Sequence, residues 1–431
     1  MKDFWLTLLT LVALLHGAWA QPADLIRYGQ TIQGGIGTLG ESDRYYFSAE
    51  AGDRLLIPIL AVGGNLEPLV VLYSPAGPPG PGARLAQAAS PGLGWDSKLI
   101  ASVSGEYTIE VRDMSNRTGP YALSLFCLNK ANTADEGRTQ IVPGRSIRVD
   151  IAPGDYDMLE FEGAIGETFV AVALKLNQRE PAPVYSIYRP EGDLLLAEPF
   201  ETGNRWFGWG YNRESGGAIR IGKTGTHRIV YGMRSVAAQH SAGFTLLKHP
   251  WPNVADPDGG ELLPGGVKSG ELVGGDVDSF FFYGAAGDVV DLRMPTAGSS
   301  ARYPAMWILD PHGRSVANPT GSVQASVENL RLSATGYYLV ICYSWLAYSA
   351  NYAVAFSGSM SAPPMNLHFT HLGDTHQVFW LDRDGWQLQR SDSDGSGPWH
   401  AEPRQTLSMG GFRTLNLPTS MGARFYRLTH P

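Results

Sequence analysis

The stretch DRYYFSAEAG, residues 43–52, decides the fold because its framework is written three times along the 431 residues. It recurs as DMLEFEGAIG at 157–166 and as DSFFFYGAAG at 278–287. In each copy an Asp opens the segment, and the second and fourth residues after it are bulky and apolar. This alternation predicts a β-strand with one buried face. The closing Gly supplies the positive φ that the following turn requires.

The rest of each copy follows the same plan. A second hydrophobic strand leaves the turn, and a later strand is stopped by Pro-x-Gly at 75–77, 190–192 and 311–313. Further alternating strands open at Gly105, Gly225 and Gly336, and the copies close on strands that we place at Tyr121, Phe244 and Tyr352. No segment keeps a helical period. The fold class that we predict is all-β, with three tandem antiparallel jelly-roll-like β-sandwiches and a small C-terminal β domain.

Composition shifts divide the chain into five ranges. Lys2, an apolar run and Ala18-Trp19-Ala20 are typical of a cleavable secretory signal. Polar segments rich in turn-forming residues mark the later boundaries, and we expect these short linkers to allow restricted bending. The predicted ranges are 1–20 for the signal peptide, 21–134, 135–254 and 255–360 for the three sandwiches, and 361–431 for the C-terminal module.

The charge, hydropathy and cysteine content of the chain limit its possible partners and its location. The net charge of -8, from 33 basic and 41 acidic residues, gives an acidic chain that repels phosphate backbones, so we expect no nucleic acid partner. After the signal, no apolar run approaches the length of a membrane span. We therefore expect a soluble monomer that is secreted or lies on the exterior of the cell envelope. Cys127 and Cys342 alternate with apolar residues and are predicted to be core residues.

The ordered motifs carry a resemblance. D-x-[apolar]-x-F, A-G-[DE], L-Y-x-P-x-G, S-G-x-Y and Y-x-[LV] together resemble the bacterial pre-peptidase C-terminal domain, over about residues 22–357. That family is a jelly-roll-like β-sandwich found beside secreted peptidases and is similar to collagen-binding modules of clostridial collagenases. Residues 365–431 are similar to a small C-terminal β module of secreted verrucomicrobial and planctomycete proteins.

Catalytic motifs are missing from the sequence. It has no H-E-x-x-H zinc motif, no G-x-S-x-G nucleophile elbow and no Gly-rich phosphate loop. Because the three copies and the C-terminal module account for the whole mature chain, we predict that the protein is not an enzyme.

Calcium is the one cofactor that the sequence suggests. Pairs of aspartates stand at the start of two opening strands and in the linker before the third copy, and hard cations bind several carboxylates together. The resemblance adds that related collagen-binding modules hold calcium in their linkers. The alternative is that these aspartates cap turns of their own backbone. The candidate ligands are Asp155, Asp157, Asp256, Asp258, Asp276 and Asp278.

Aromatic residues in loops form the second candidate site. Trp95 and Trp209 stand at matching distances beyond the Pro-x-Gly turns of the first two copies, and Trp206 and Tyr211 flank Trp209. Exposed aromatic planes can stack on sugar rings or on a partner surface. The alternative is that these side chains close the end of a sandwich.

A non-catalytic protein that binds or adheres to an extracellular polymer, or serves as a scaffold on it, is the function that these observations favour. The polymer is a polysaccharide or a protein, and repeated weak sites would gain avidity. Two alternatives stay open. One is a pure structural spacer, and the other is an accessory or inhibitory partner of a secreted peptidase or other hydrolase.

Overall fold

The computed structural model describes residues 24–75, 82–176, 183–197, 218–233, 240–250, 253, 255–298, 302–360, 365–372, 375–392, 397–409, 412–418 and 424–430. Every regular element in these ranges is a β-strand, which confirms the predicted all-β class. Within the same ranges, no helix has the length and apolar character needed to cross a membrane. The predicted signal peptide lies outside the described residues and stays a prediction.

Among the described residues, the first pair of sheets contains β1 Asp24–Leu25, β2 Gln30–Ile36, β3 Ser42–Ala49, β4 Leu55–Ala61, β5 Pro68–Tyr73, β6 Arg84–Ala89, β7 Gly92–Leu93, β8 Gly105–Asp113 and β9 Gly119–Cys127. The five-stranded sheet has the order β1-β3-β8-β5-β6, and the four-stranded sheet has the order β2-β9-β4-β7.

The second pair repeats this arrangement with β10 Thr139–Gln140, β11 Ile147–Ile151, β12 Tyr156–Gly163, β13 Thr168–Lys175, β14 Pro183–Tyr188, β15 Leu194–Ala197, β16 Ile219–Arg220, β17 Gly225–Met233 and β18 His240–His249. Its five-stranded sheet has the order β10-β12-β17-β14-β15, and its four-stranded sheet has the order β11-β18-β13-β16.

The third pair consists of β19 Gly260–Glu261, β20 Val267–Leu272, β21 Val277–Gly284, β22 Val289–Pro295, β23 Pro304–Leu309, β24 Ser315–Ala317, β25 Gln324–Arg331, β26 Gly336–Ser344 and β27 Ala350–Ser359. The orders are β19-β21-β26-β23-β24 and β20-β27-β22-β25. The ladders are antiparallel except that β1, β10 and β19, of two residues each, pair in parallel with the opening strand.

The C-terminal strands are β28 His368–Leu372, β29 Thr375–Leu381, β30 Gln387–Ser391, β31 His400–Ala401, β32 Leu407–Met409, β33 Phe412–Pro418 and β34 Phe425–Thr429. They form a four-stranded sheet, β28-β29-β33-β32, and a three-stranded sheet, β31-β30-β34. The strands of each sheet group lie inside one predicted range, although the range boundaries themselves stay a prediction.

Turn and core positions agree with the repeated motif. Gly52, Gly166 and Gly287 have φ of 97°, 90° and 96°, in the left-handed region that favours glycine. The acid after each Gly accepts a hydrogen bond from the backbone three residues earlier, as Asp53 does from the Glu50 amide at 2.9 Å. The predicted apolar positions are all buried: Tyr45, Phe47, Leu159, Phe161, Phe280 and Phe282. Cys127 and Cys342 are buried free thiols, as predicted for core residues.

The described residues form two compact units. One holds residues up to Glu136 together with Pro153–Tyr156, and the other holds Gly137–Ala152 and the residues from Asp157 onward. The second unit therefore contains most of the second sheet pair, the third pair and the C-terminal sheets. We expected the linkers to leave restricted bending, but within this unit the sheets pack directly on one another. Phe281 and Tyr337 of the third pair, for example, join Phe379 and Phe412 in one apolar cluster.

Candidate functional site: an open groove and its buried carboxylates

The outer face of the four-stranded sheet in the second pair is apolar and covered. Val170 and Leu247 are opposite each other on β13 and β18, and both are fully buried. They form one cluster with side chains from the five-stranded sheet of the third pair, including Trp307. Burial on both faces explains why β13 reads as a nearly continuous hydrophobic run. The cluster contains Val170, Val172, Leu174, Ala218, Leu247, Val277, Ala305, Trp307, Leu309, Leu339, Ile341 and Tyr343.

The same face of the third pair is polar and open. Val170 follows Gly166 by four residues, and Asp291 follows Gly287 by four. Asp291 is opposite Ser357 on β27, as Val170 is opposite Leu247. Ser357 is exposed, and β22 alternates buried and accessible residues along its length. Alternation of this kind is typical of a sheet with one face in water.

A groove lies on this open face. Its volume is about 610 Å³, and it is open to solvent rather than enclosed. Three strands and the linker before the third pair contribute to it. The lining residues are Asp258, Ser269, Gly270, Glu271, Pro295, Thr296, Ala297, Asn351, Tyr352 and Ala353.

Strand register fixes the groove walls. Ser269 is opposite Ala353, and Glu271 is opposite Asn351, so these outward side chains lie side by side across β20 and β27. The Asp258 Oδ2 atom accepts a hydrogen bond from the Glu271 backbone N–H at 3.0 Å, which holds the linker against β20. Small residues form the floor, and carboxylate, amide and hydroxyl groups stand at its sides.

A buried carboxylate anchors the linker that carries Asp258. The Asp256 side chain is buried and accepts hydrogen bonds from the backbone N–H groups of Asp258 at 3.2 Å and Gly259 at 3.0 Å. Its second oxygen accepts bonds from the Ser279 N–H at 2.5 Å and the Ser279 hydroxyl at 2.9 Å. Burial raises the pKa of Asp256 to about 6, although these donors favour its ionised form. Asp256 therefore fixes the wall of the groove from inside.

A second buried carboxylate touches the groove floor. The Tyr352 hydroxyl donates to the Asp278 Oδ2 atom at 2.6 Å, and both side chains are buried. Burial and then the charge of Asp256 raise the pKa of Asp278 to about 8. At neutral pH Asp278 is therefore mostly protonated, because two ionised carboxylates in one apolar interior would repel each other.

The first pair contains a matching contact, and the second does not. The Tyr121 hydroxyl donates to the Asp43 Oδ2 atom at 2.5 Å. Gly34 is opposite Tyr121, and Gly270 is opposite Tyr352. A Cβ atom at Gly270 would lie 2.6 Å from the Tyr352 hydroxyl oxygen, so only Gly leaves room for the ring.

Our alignment of Phe244 with these tyrosines was wrong by two residues. Tyr121 is opposite Ala61, which follows the turn residue Gly52 by nine positions. The residue nine positions after Gly166 is Lys175, and it is opposite Ala242. Across β11, Ala242 is opposite Val149. Val and Ala thus replace the Gly and Tyr of the other pairs. The closing strands look alike in sequence because every second residue is apolar, so a shift of two preserves the pattern.

Asp278 is described above, and the other five candidate calcium ligands have the following contacts. Asp155, Asp256 and Asp276 each accept a nearby backbone N–H, as in the turn-capping alternative. Asp258 instead accepts the N–H of Glu271, which is thirteen residues away on β20. Asp157 is buried, and a Cβ atom at Gly137 would lie 2.0 Å from its Oδ1 atom. In the described ranges no group of three or more His, Cys, Asp or Glu could hold a metal ion. Calcium binding stays a prediction.

Of the candidate aromatic residues, Trp95 is described. It is half-buried, its Nε1–H donates to the Pro91 carbonyl at 3.1 Å, and its ring meets the Tyr156 ring edge-on at 5.4 Å. These contacts hold the indole in place within the first unit. Trp206, Trp209 and Tyr211 lie outside the described residues, so stacking at that pair of sites stays a prediction.

Sequence reasoning missed Ser269, Glu271 and Asn351, because no motif marks them. A usable signal was nevertheless present in the strand after each turn glycine. That strand reads LLIPILA in the first copy, TFVAVALK in the second and VVDLRMP in the third. The third strand alternates between apolar and polar residues, and this alternation indicates the sheet whose outer face is exposed to water.

No protein-family model and no curated protein matches this chain. Among solved structures, the pre-peptidase C-terminal domain of a Bacillus anthracis collagenase is similar, with 15% identity, coverage of 23% of this chain and 94% of that domain, and a TM-score of 0.19. The periplasmic g-type lysozyme inhibitor PliG of Aeromonas hydrophila is similar with 16% identity, coverage of 23% and 96%, and a TM-score of 0.18. Each likeness concerns about a quarter of the chain, so function must be argued from the residues themselves.

Proposed function

We propose that this chain is a secreted, non-catalytic β-sheet protein that binds an extracellular polymer through the groove on the third sheet pair. The observation that supports the proposal is the contrast between the outer faces of the four-stranded sheets in the second and third pairs. In the second pair the face is apolar and packed, whereas in the third it is polar, open and indented by about 610 Å³.

The shape of the groove favours a chain-like ligand. Sites for small molecules usually enclose most of the ligand. This groove is open to solvent, and the polar groups of Asp258, Ser269, Glu271 and Asn351 are among its lining. A polymer can pass along such a surface and contact it with one segment, and ordered water can complete the hydrogen bonds.

Two features hold the groove in shape before a ligand arrives. Asp256 fixes the linker through four hydrogen bonds, and Gly270 packs on the Tyr352 ring. A surface that is already ordered loses less conformational entropy on binding than a loop does.

The test is retention of the purified secreted chain on insoluble polysaccharides, peptidoglycan and collagen. The variant Ala353→Trp fills the groove floor with an indole. The matched control is Ala51→Trp, at an exposed turn residue of the first pair. We expect a polymer that retains the parent chain and Ala51→Trp but releases Ala353→Trp, with unchanged unfolding midpoints for all three.

Retention that Ala353→Trp leaves intact would move binding away from the groove. No retention on any polymer would favour the spacer. A stable complex with a secreted hydrolase, lost in Ala353→Trp, would favour the accessory or inhibitory partner.

A further inference from the structure

We infer that the groove selects a polysaccharide whose sugars carry free amino groups. This inference rests on the proposed function and names its ligand class. The groove offers two carboxylates, from Asp258 and Glu271, and none of its described lining residues is Lys, Arg or His. In the described part of the chain neither carboxylate belongs to an ion pair. Both charges are therefore available to a cationic ligand.

The two carboxylates are parts of a built surface. Asp258 is half-buried, donates its N–H to the buried Asp256 carboxylate at 3.2 Å and accepts the Glu271 N–H at 3.0 Å. These two hydrogen bonds hold the linker at Asp258 against strand β20 at Glu271. Elsewhere on the open face, Arg293 forms an ion pair with Glu328 at 2.9 Å, and the Asp291 carboxylate accepts the Asn329 backbone N–H at 2.6 Å. In the groove, two carboxylates lie together with no cationic side chain among the described lining residues.

Neutral groups in the groove favour a sugar over a protein chain. The Ser269 hydroxyl and the Asn351 amide can each donate and accept hydrogen bonds, as sugar hydroxyls require. An extended peptide usually binds a sheet by pairing with an edge strand. The groove floor lies on the sheet face, where the backbone of β27 is already paired with β20 and β22. A peptide on the floor could not pair with β27, and at the edge strand β20 the Glu271 N–H is already bonded to Asp258.

The same charges exclude another class of polymer. Uronic acid and sulfated polysaccharides would bring anions against Asp258 and Glu271, and like charges at an interface weaken association. An ammonium group between two carboxylates gains a charge-assisted hydrogen bond. We therefore expect the order amino polysaccharide, neutral polysaccharide, acidic polysaccharide.

The experiment compares chitosan, chitin, cellulose and alginate beads at mildly acidic pH and low salt. These beads vary the amino, acetylated, neutral and acidic character of the sugar. The variant Glu271→Gln removes one groove charge. The control Glu106→Gln removes the same charge from an exposed site on the first sheet pair. We expect Glu271→Gln to weaken chitosan binding about tenfold, the effect of one modest ion pair, and to leave chitin binding unchanged.

Four outcomes would overturn the inference. Equal retention on chitosan and cellulose would refute amine selection while the proposed function stands. Equal losses in Glu271→Gln and Glu106→Gln would reduce the effect to net charge. Binding to soluble polylysine in the absence of any polysaccharide binding would indicate a basic protein ligand. Retention on no bead and no binding to polylysine would refute the inference, and the proposed function would fall with it only if peptidoglycan and collagen also fail to retain the chain.

Discussion

Val170 and Leu247 face each other across the second four-stranded sheet, and Asp291 and Ser357 occupy the same places in the third. The strand order around both pairs is the same. Val170 and Leu247 belong to an apolar cluster with Trp307, whereas Ser357 is exposed to solvent. One β topology therefore supports either a packed face or a face open to solvent, according to the residues on its outer side.

The inner faces differ as well. In the third pair the Tyr352 hydroxyl reaches the buried Asp278, and Gly270 makes room for the ring. In the second pair Val149 and Ala242 occupy the corresponding positions, so the tyrosine hydroxyl of the third pair has no counterpart there. In the third pair a hydrogen bond spans the sandwich at this point.

The largest expected effect is on the covered face. Leu247→Asn should lower the free energy of unfolding of the second unit by about 3–5 kcal/mol, because it leaves a cavity and buries an amide. Ser357→Asn, at the equivalent exposed position, should change it by less than about 0.5 kcal/mol. Urea unfolding of both variants checks the difference. Similar losses in the two variants would mean that the faces are not distinguished by burial.

Acid should weaken the covered region. His249, at the end of β18, is buried, and burial lowers its pKa from 6.5 to about 4, against the opposing charge of Asp310. The unfolded chain takes up a proton below its usual pKa, whereas the folded chain does not. Stability is therefore complete above pH 6.5 and falls toward pH 4, by roughly 3 kcal/mol for this group. Urea titrations of the parent chain and His249→Gln test this: the variant should lose that dependence.

Alkali should weaken the third pair. The pKa of Asp278 is raised from 3.8 to about 8, by burial and then by Asp256. The folded chain keeps this proton while the unfolded chain releases it, so stability is complete below pH 3.8 and is lost as pH rises toward 8. We expect a loss of about 2 kcal/mol between about pH 6 and about pH 8, measured with a chelator present. Asp278→Asn should lose most of this slope and keep the small part that comes from Asp256, whose pKa is raised to about 6. An equal slope in this variant would assign the dependence to other groups.

The smallest effect concerns the hydroxyl that the second pair lacks. Tyr352→Phe removes the donor to Asp278 and should cost about 1 kcal/mol. Tyr348→Phe, at a side chain that is 44% exposed, is the matched control and should be silent. Differential scanning calorimetry can compare the two. An unaffected Tyr352→Phe would show that the hydrogen bond to Asp278 adds no net stability to the third pair.

Local patterns in the sequence were sufficient for the strands and turns. Gly52, Gly166 and Gly287 marked positive φ, and the apolar positions after each opening Asp are in the core. The closing strand was misaligned at Phe244, because period-two alternation cannot distinguish registers that differ by two residues. Strand pairing across the sheet, which involves residues far apart in sequence, decides between them.

The groove could not be predicted from any one segment. Asp258, Glu271, Thr296 and Asn351 come from a linker and three strands, and their meeting depends on the order β20-β27-β22. What the sequence did contain was the alternation of β22, which indicated an open face. Recognising it required comparison of the three copies position by position, rather than a search for motifs.

Cysteine labelling at equivalent positions of the two faces tests the central claim most directly. Cys127 and Cys342 are fully buried and serve as internal unreactive thiols. In the native chain, Ser357→Cys should react with a maleimide at nearly the rate of an unfolded peptide, and Leu247→Cys should react only after unfolding. Equal reaction rates at the two positions would contradict the claim that one face is covered and the other is free to bind.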